Sequence, residues 1–106
     1  MLVPSYRRPD ALLSCLDGLL AGTRLPEQIV VVLRDADAES HALLQGWLAE
    51  HAEARALVHR VEVSQPGQCT ATNAGLAAAT GEVVCFIDDD CVPGAQWLER
   101  LLAPYA

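Results

Sequence analysis

The residues of this 106-residue chain with the most chemistry in them are Asp88, Asp89 and Asp90, three adjacent carboxylates closing the apolar run Val83-Val84-Cys85-Phe86-Ile87. Neighbouring Asp side chains repel one another, and a strand that needed only to stop would end better in Gly, Asn or a single Asp. The triplet calls for a positive partner. Hard oxygen ligands suit Mg²⁺ or Mn²⁺, which take one or two carboxylates and complete their shell with water and substrate phosphates. A solvated acidic turn is the competing reading of an isolated Asp-Asp-Asp, so the elements around it must decide.

Those elements alternate. Glu82 to Ile87, bounded by Gly81 and by Pro93-Gly94, reads as a strand buried on both faces, and so does the β-branched run Gln28 to Leu33. Met1 to Pro4 is a first strand too short for the centre of a sheet, either trimmed or stunted, and Leu57 to Val63, interleaved with His59, Arg60 and Glu62, belongs nearer an edge. Between them lie helical patterns. Leu12, Leu16, Leu19 and Leu20, widened by Leu13, form a stripe after Pro9 and stop near Gly22, and Leu43, Leu44, Trp47 and Leu48 form a second after a cap at Asp37 or Ser40. Cys69 to Thr80 carries Ala71, Ala74, Gly75 and Ala78, small enough for close approach to a sheet, with Asn73 as the polar exception. Ala95 to Ala103 supplies a last helix.

Strand then helix, repeated, predicts an α/β sheet with parallel strands and right-handed crossovers. Ligands of such sheets bind outside the carboxyl ends of the strands. The polar clusters Ser5 to Arg8, Arg34 to Asp37, Ser64 to Gln68 and Asp88 to Asp90 all fall on that edge, which makes it the candidate site. No Gly-x-Gly-x-x-Gly follows the first strand and no Gly-Lys-Ser/Thr loop occurs, so a dinucleotide fold and a P-loop lose their main support. A net charge of −7 with basic residues scattered along the chain argues against nucleic acid as partner, and an anionic ligand would have to be held through a metal. There is no membrane-length apolar run and no signal-peptide pattern, so the cytoplasm is the expected location, at the inner membrane face at most in a full-length protein. Cys15, Cys69, Cys85 and Cys91 show no Cys-x-x-Cys pair and read as reduced, buried small side chains; His41, His51 and His59 share no metal-ligand spacing.

Taken together, Val3-Pro4-Ser5-Tyr6-Arg7-Arg8, the strand Pro26 to Leu33, Asn73-Ala74-Gly75-Leu76 with Gly81-Glu82, Phe86-Ile87-Asp88-Asp89-Asp90 and Pro93 through Trp97-Leu98 resemble, in order and spacing, the donor half of a family 2 glycosyltransferase. The resemblance implies a Rossmann-like GT-A sheet of about four mostly parallel strands with helices on both faces, in which residues 1–106 form the nucleotide-sugar-binding half of an incomplete domain. It implies a nucleoside diphosphate sugar as donor, a UDP-sugar first among them, and an unknown acceptor. The substrate-binding candidates are then Pro4, Ser5, Tyr6, Arg8, Asp35, Asp37, Asn73, Asp88 and Asp89, with Asp88 and Asp90 as ligands of Mn²⁺ or Mg²⁺. Tyr6 would hold the base together with Asp35 or Asp37, since Arg34-Asp35-Ala36-Asp37 departs from the family's Asp-Asp-Gly-Ser. Asp89, the middle residue, projects to the other side of an extended segment.

No residue here is assigned as catalytic. The acceptor-activating base of inverting members lies in a further half that this sequence does not contain, which makes the chain look like a fragment and leaves Trp97, Leu98, Leu101 and Leu102 as an apolar patch through which it would self-associate. Two other readings compete. Asp88-Asp89-Asp90-Cys91-Val92 also resembles the nucleophile loop of haloacid-dehalogenase-like phosphatases, although that loop follows a first strand and works with a Lys, and this chain has none. The other is a non-catalytic module that binds nucleotide or metal.

Overall fold

A computed structural model describes residues 1–105 of the chain. Its elements run β1 (Leu2–Pro4), α1 (Pro9–Leu20), β2 (Ile29–Arg34), α2 (Ala38–Glu50), β3 (Val58–Val63), α3 (Gln68–Ala78) and α4 (Trp97–Leu102), with 3-10 turns at Ala52–Ala54 and Ala103–Tyr105. β2 pairs in parallel with β1, Leu2 opposite Val30 and Pro4 opposite Val32, and with β3, Ile29 opposite Val58 through Arg34 opposite Val63. Phe86 bridges Leu2, also in parallel, on the free side of β1. The chain therefore steps outward from β1 to β3 and then crosses back beyond β1. That reversal creates a topological switch point, the place where parallel sheets open a crevice at their carboxyl ends.

Both faces of the sheet are covered. Val3, Ile29, Val31 and Leu33 point to one side and pack with Leu12, Leu16 and Leu19 of α1 and Leu44 and Trp47 of α2. Leu2, Val30 and Val32 point to the other, against Ala71 and Ala78 of α3 and Val84. A strand clad on both faces needs apolar residues at every position, which is why Ile29 to Leu33 shows no polar alternation and is buried throughout. β3 lies at the edge, with His59, Arg60 and Glu62 in solvent. In α2, Leu44 and Trp47 face the core while Leu43 is exposed, so the apolar stripe is narrower than its sequence pattern predicts. No helix among the described residues is long and apolar enough to cross a membrane.

Two expectations change. The run Glu82 to Ile87 is not a strand buried on both faces: it makes the single bridge at Phe86, held by Leu2 N–H donating to Cys85 O at 2.8 Å and Ile87 N–H to Leu2 O at 3.2 Å. Cys85 and Ile87 are buried, but Phe86 and Val83 are exposed. The physical reason is the brevity of β1, whose three residues offer little edge to pair with, while the other edge of the segment has no neighbour among the described residues. β1 is short as expected, yet it is central, flanked by β2 and the Phe86 segment. The second change concerns α4, where Leu98 is buried and Trp97 and Leu102 half-buried, leaving Leu101 as its exposed large apolar residue.

Close approach of α3 to the sheet depends on Gly75. A Cβ built there would lie 2.6 Å from Leu2 Cδ1 and 2.8 Å from Leu2 Cγ, and Leu2 is fully buried. Gly46 in α2 meets nothing within 4 Å. The same substitution should therefore act with opposite sign. Gly46→Ala is expected to raise stability by about 0.5–1 kcal/mol through helix propensity, and Gly75→Ala to lower it, because overpacking at about 1–3 kcal/mol outweighs that gain. Urea unfolding of the two variants checks this, and equal shifts would mean that Leu2 has room to move.

Candidate functional site

The switch point is closed by a polar contact. Ser5, at the end of β1, donates its hydroxyl to Asp89 Oδ2 at 2.7 Å, and Arg8 Nη1 reaches Asp89 Oδ1 at 3.4 Å. Asp89 is 6% exposed. A carboxylate that far from water is tolerable only when its oxygens are met by donors, and here both are. Ile87 and Asp89 are turned inward, while Asp88 and Asp90 are exposed, the chain turning there through the bond from Cys91 N–H to Asp88 O at 3.1 Å. Asp89, expected among the substrate-binding residues, thus also braces the crevice whose wall it lines.

A second carboxylate shapes the loop after β1. Asp37 Oδ2 accepts from the backbone N–H of Arg7 at 2.7 Å, and its Oδ1 from Ser40 N–H at 3.4 Å, the N-cap of α2. Arg7 has φ 54°, a left-handed conformation that costs a side-chain-bearing residue roughly 1–2 kcal/mol, and the bond from Asp37 holds it there. Burial pushes the Asp37 carboxyl up, but the Arg7 N–H, the contacts from Ser40 and the field of His41 outweigh it, and the net shift is below the usual carboxylate value of 3.8.

Between these anchors lies a cavity of about 490 Å³ lined by Pro4, Ser5, Tyr6, Arg8, Arg34, Asp88, Asp89 and Asp90 and, across β3, by Val63 and the Gln65-Pro66-Gly67-Gln68 turn. Gly67, at φ 113°, gives that turn a backbone that favours glycine. Of the residues singled out in the sequence, the cavity gathers Pro4, Ser5, Tyr6, Arg8 and the three aspartates. Asp37 is occupied as described, Asp35 is exposed and outside the lining, and Asn73 is exposed on α3. Arg34 and the two glutamines line it without having been chosen; their place at the end of β2 and between β3 and the start of α3 was the available signal. The basic residues are also less scattered than they look along the chain. Arg7 and Arg34 put their guanidinium carbons 5.1 and 5.0 Å from the Tyr6 ring centre.

A divalent ion fits the acidic end. Asp88, Asp90 and Cys91 can bring one donor atom each within 4.8 Å of one another, and all three are exposed. Two hard carboxylate oxygens match Mg²⁺ or Mn²⁺, while a thiol is the softer ligand. Arg8 Nη1 lies 3.5 Å from Asp90 Oδ2 and offsets part of the charge. The four cysteines are free, but only Cys15 and Cys85 are buried as expected; Cys69 and Cys91 are exposed. Burial, with Asp89 nearby, pushes the Cys15 thiol up to about 11. His41 and His51 bond backbone carbonyls, of Arg34 and Trp47 respectively, and none of the histidines joins the acidic group.

Comparison with known proteins fixes the family. The model of glycosyl transferase family 2 matches residues 1–106. The chain belongs to that family. Among curated relatives of this glycosyl transferase family 2 chain, the glycosyltransferase AglE of Haloferax volcanii is 24% identical over 94% of the chain, and the O-antigen biosynthesis protein RfbC of Myxococcus xanthus 32% identical over 97%. The chain spans 33% of the former and 8% of the latter. A mannosyltransferase of Pyrobaculum calidifontis, solved with GDP-Man and Mn²⁺, superposes with a TM-score of 0.81 at 24% identity, over 96% of this chain and 31% of that one. The shared architecture is the GT-A fold, of which this family 2 chain forms a part.

Because Asp37 titrates below 3.8 when folded, its contribution to stability is intact above that pH and is lost as the pH falls through the lowered value. Asp37→Asn keeps one oxygen for the cap but turns an amide nitrogen toward the other backbone N–H, so it is expected to unfold more easily at neutral pH by about 1–3 kcal/mol, the range for a buried donor left without an acceptor, with the gap to wild type closing in acid. Thermal unfolding followed from neutral pH into acid, through and below the lowered value, reads this out; a gap that stays constant would mean that the Asp37 charge contributes nothing.

Proposed function

We propose that this chain is the donor-binding part of a glycosyltransferase that takes a sugar from a nucleoside diphosphate sugar, with a divalent cation held by Asp88 and Asp90. The observation that carries the reading is the division of the aspartate triplet: Asp89 is turned inward and held by Ser5, which leaves Asp88 and Asp90 side by side on the cavity wall with Tyr6. Family membership supports it. So does the fold neighbour solved with GDP-Man and Mn²⁺.

The chemistry follows from charge. Transfer of a sugar away from a diphosphate builds negative charge on the departing phosphate, and a divalent ion at Asp88 and Asp90 would supply the Lewis acid that stabilises it. The chain's own residues do the positioning. Ser5 and Arg8 fix Asp89 and so the outward direction of its neighbours, while Arg8 adds positive charge beside the diphosphate. Asp37 fixes the backbone that carries Tyr6. Activation of an acceptor is assigned to none of these residues.

Binding of a nucleoside diphosphate, followed by calorimetry, is expected to require Mn²⁺ or Mg²⁺. Asp88→Ala and Asp90→Ala should each weaken it by at least about tenfold, the lower bound for disturbing even the outer shell of a metal site. Metal-independent binding, or unchanged affinity in Asp90→Ala, would sink the proposal.

A further inference from the structure

The two aspartates offered to a cation are not equally free. Asp88 makes no side-chain hydrogen bond or ion pair among the described residues, whereas Asp90 is met on both carboxylate oxygens. Arg8 Nη1 stands 3.5 Å from Oδ2, and the Cys91 thiol points at Oδ1 from 3.8 Å. The thiol is a weak donor. The guanidinium is a permanent charge that its surroundings do not neutralise.

A second contact holds Arg8 over Asp90. The same Nη1 lies 3.4 Å from Oδ1 of Asp89, a buried carboxylate whose other oxygen is fixed by the Ser5 hydroxyl at 2.7 Å. One amino group of the guanidinium therefore spans both carboxylates. Arg7 and Arg34 rest against Tyr6 and make no ion pair with the aspartates, so among the described residues Arg8 is the cation that meets the triplet. Its side chain is 58% exposed, and its position depends on the charges it meets more than on packing. A divalent ion that takes Asp90 as a ligand needs electron pairs that this guanidinium faces, and it meets a like charge at close range. Two cations on one carboxylate repel.

We infer that Arg8 is a built-in competitor of the metal: it shares Asp90 with the divalent ion, and its charge weakens the grip of Asp88 and Asp90 on that ion. This rests on the donor-binding reading above. Arg8 also braces Asp89, but the two roles have opposite signs. Loss of a brace loosens the ligands and weakens metal binding, while loss of a competitor strengthens it. Ser5 supplies the shorter bond to Asp89, so removal of the Arg8 charge outweighs removal of the brace.

The test is binding of Mn²⁺ alone, without nucleotide, followed through the electron paramagnetic resonance of the free ion. Wild type, Arg8→Gln and Asp90→Ala are compared at low and at high sodium chloride. Arg8→Gln keeps an amide donor for Asp89 and removes the charge. It is expected to bind Mn²⁺ about fivefold more tightly at low salt, the size of a repulsion between exposed charges, and the gain should fade as salt is raised. Unchanged or weaker binding in Arg8→Gln, with binding still lost in Asp90→Ala, would overturn the inference and leave Arg8 as a brace of Asp89. A gain that persists undiminished at high salt would overturn it too, because a rearranged loop and not a missing charge would be its cause. Mn²⁺ binding that Asp90→Ala leaves intact would overturn the donor-site reading along with it. In the wild type, titration with diamagnetic Mg²⁺ should shift the Arg8 side-chain N–H resonance, and a resonance that stays put while Mg²⁺ binds would overturn the inference without any variant.

Discussion

The hydrogen bond from Ser5 to Asp89 is the constraint on which the site depends. β1 has three residues and the segment beyond it makes one bridge, so the sheet alone does little to hold the two together at their carboxyl ends. A buried carboxylate changes that balance. Withdrawn from water, Asp89 is strongly unfavourable unless its donors stay in place, and the Ser5 hydroxyl and the Arg8 guanidinium come from the loop on the other side of the crevice. Separating the two ends would therefore expose a charge to an incompletely solvated gap. The clamp also fixes direction, because with Asp89 held inward the turn that Cys91 N–H closes onto Asp88 O carries Asp88 and Asp90 on its exposed side.

The two buried aspartates work in the same way on different elements. Asp89 ties the last sheet segment to the loop after β1, and Asp37 ties that loop to the first turn of α2. Between them the Tyr6-Arg7-Arg8 stretch is pinned on both flanks, which is what a left-handed residue at Arg7 requires. Of the exposed aspartates, Asp90 meets the Arg8 guanidinium at 3.5 Å, and Asp88 makes no side-chain hydrogen bond or ion pair among the described residues. Carboxylates of one sequence thus separate by burial into those that hold the structure and those free to hold a ligand.

Much of this was legible in the sequence. The β-branched run of β2, the leucine spacing of α1, the small residues of α3 and the Asp37 or Ser40 cap all declare themselves through period and residue type. The fourth sheet segment did not. Val83-Val84-Cys85-Phe86-Ile87 has the composition of a buried strand, yet pairing is a property of two edges, and a three-residue β1 supplies too little of one. The site was legible to the extent that it lies past strand ends. Which Asp faces inward could be guessed from alternation, but not that Ser5 would meet it from 84 residues away. Asp35 and Asp37 were ambiguous for the same reason: only the fold tells which carboxylate finds a backbone N–H.

Charge is where linear and spatial reading diverge most. With a net charge of −7 and basic residues spread along its length, the chain offers no basic patch in sequence. Parallel topology nevertheless brings the residues after β1 beside the last residue of β2, so Arg7, Arg8 and Arg34 converge on Tyr6 and the cavity. An acidic molecule can in this way carry a local cluster of cations next to its three aspartates, each sign partly screening the other. That pairing explains how exposed like charges at Asp88 and Asp90 are tolerated: the nearest guanidinium, that of Arg8, is shared between Asp89 and Asp90. Arg34, at the end of β2, makes no ion pair among the described residues and rests its guanidinium against Tyr6, 5.0 Å from the ring centre.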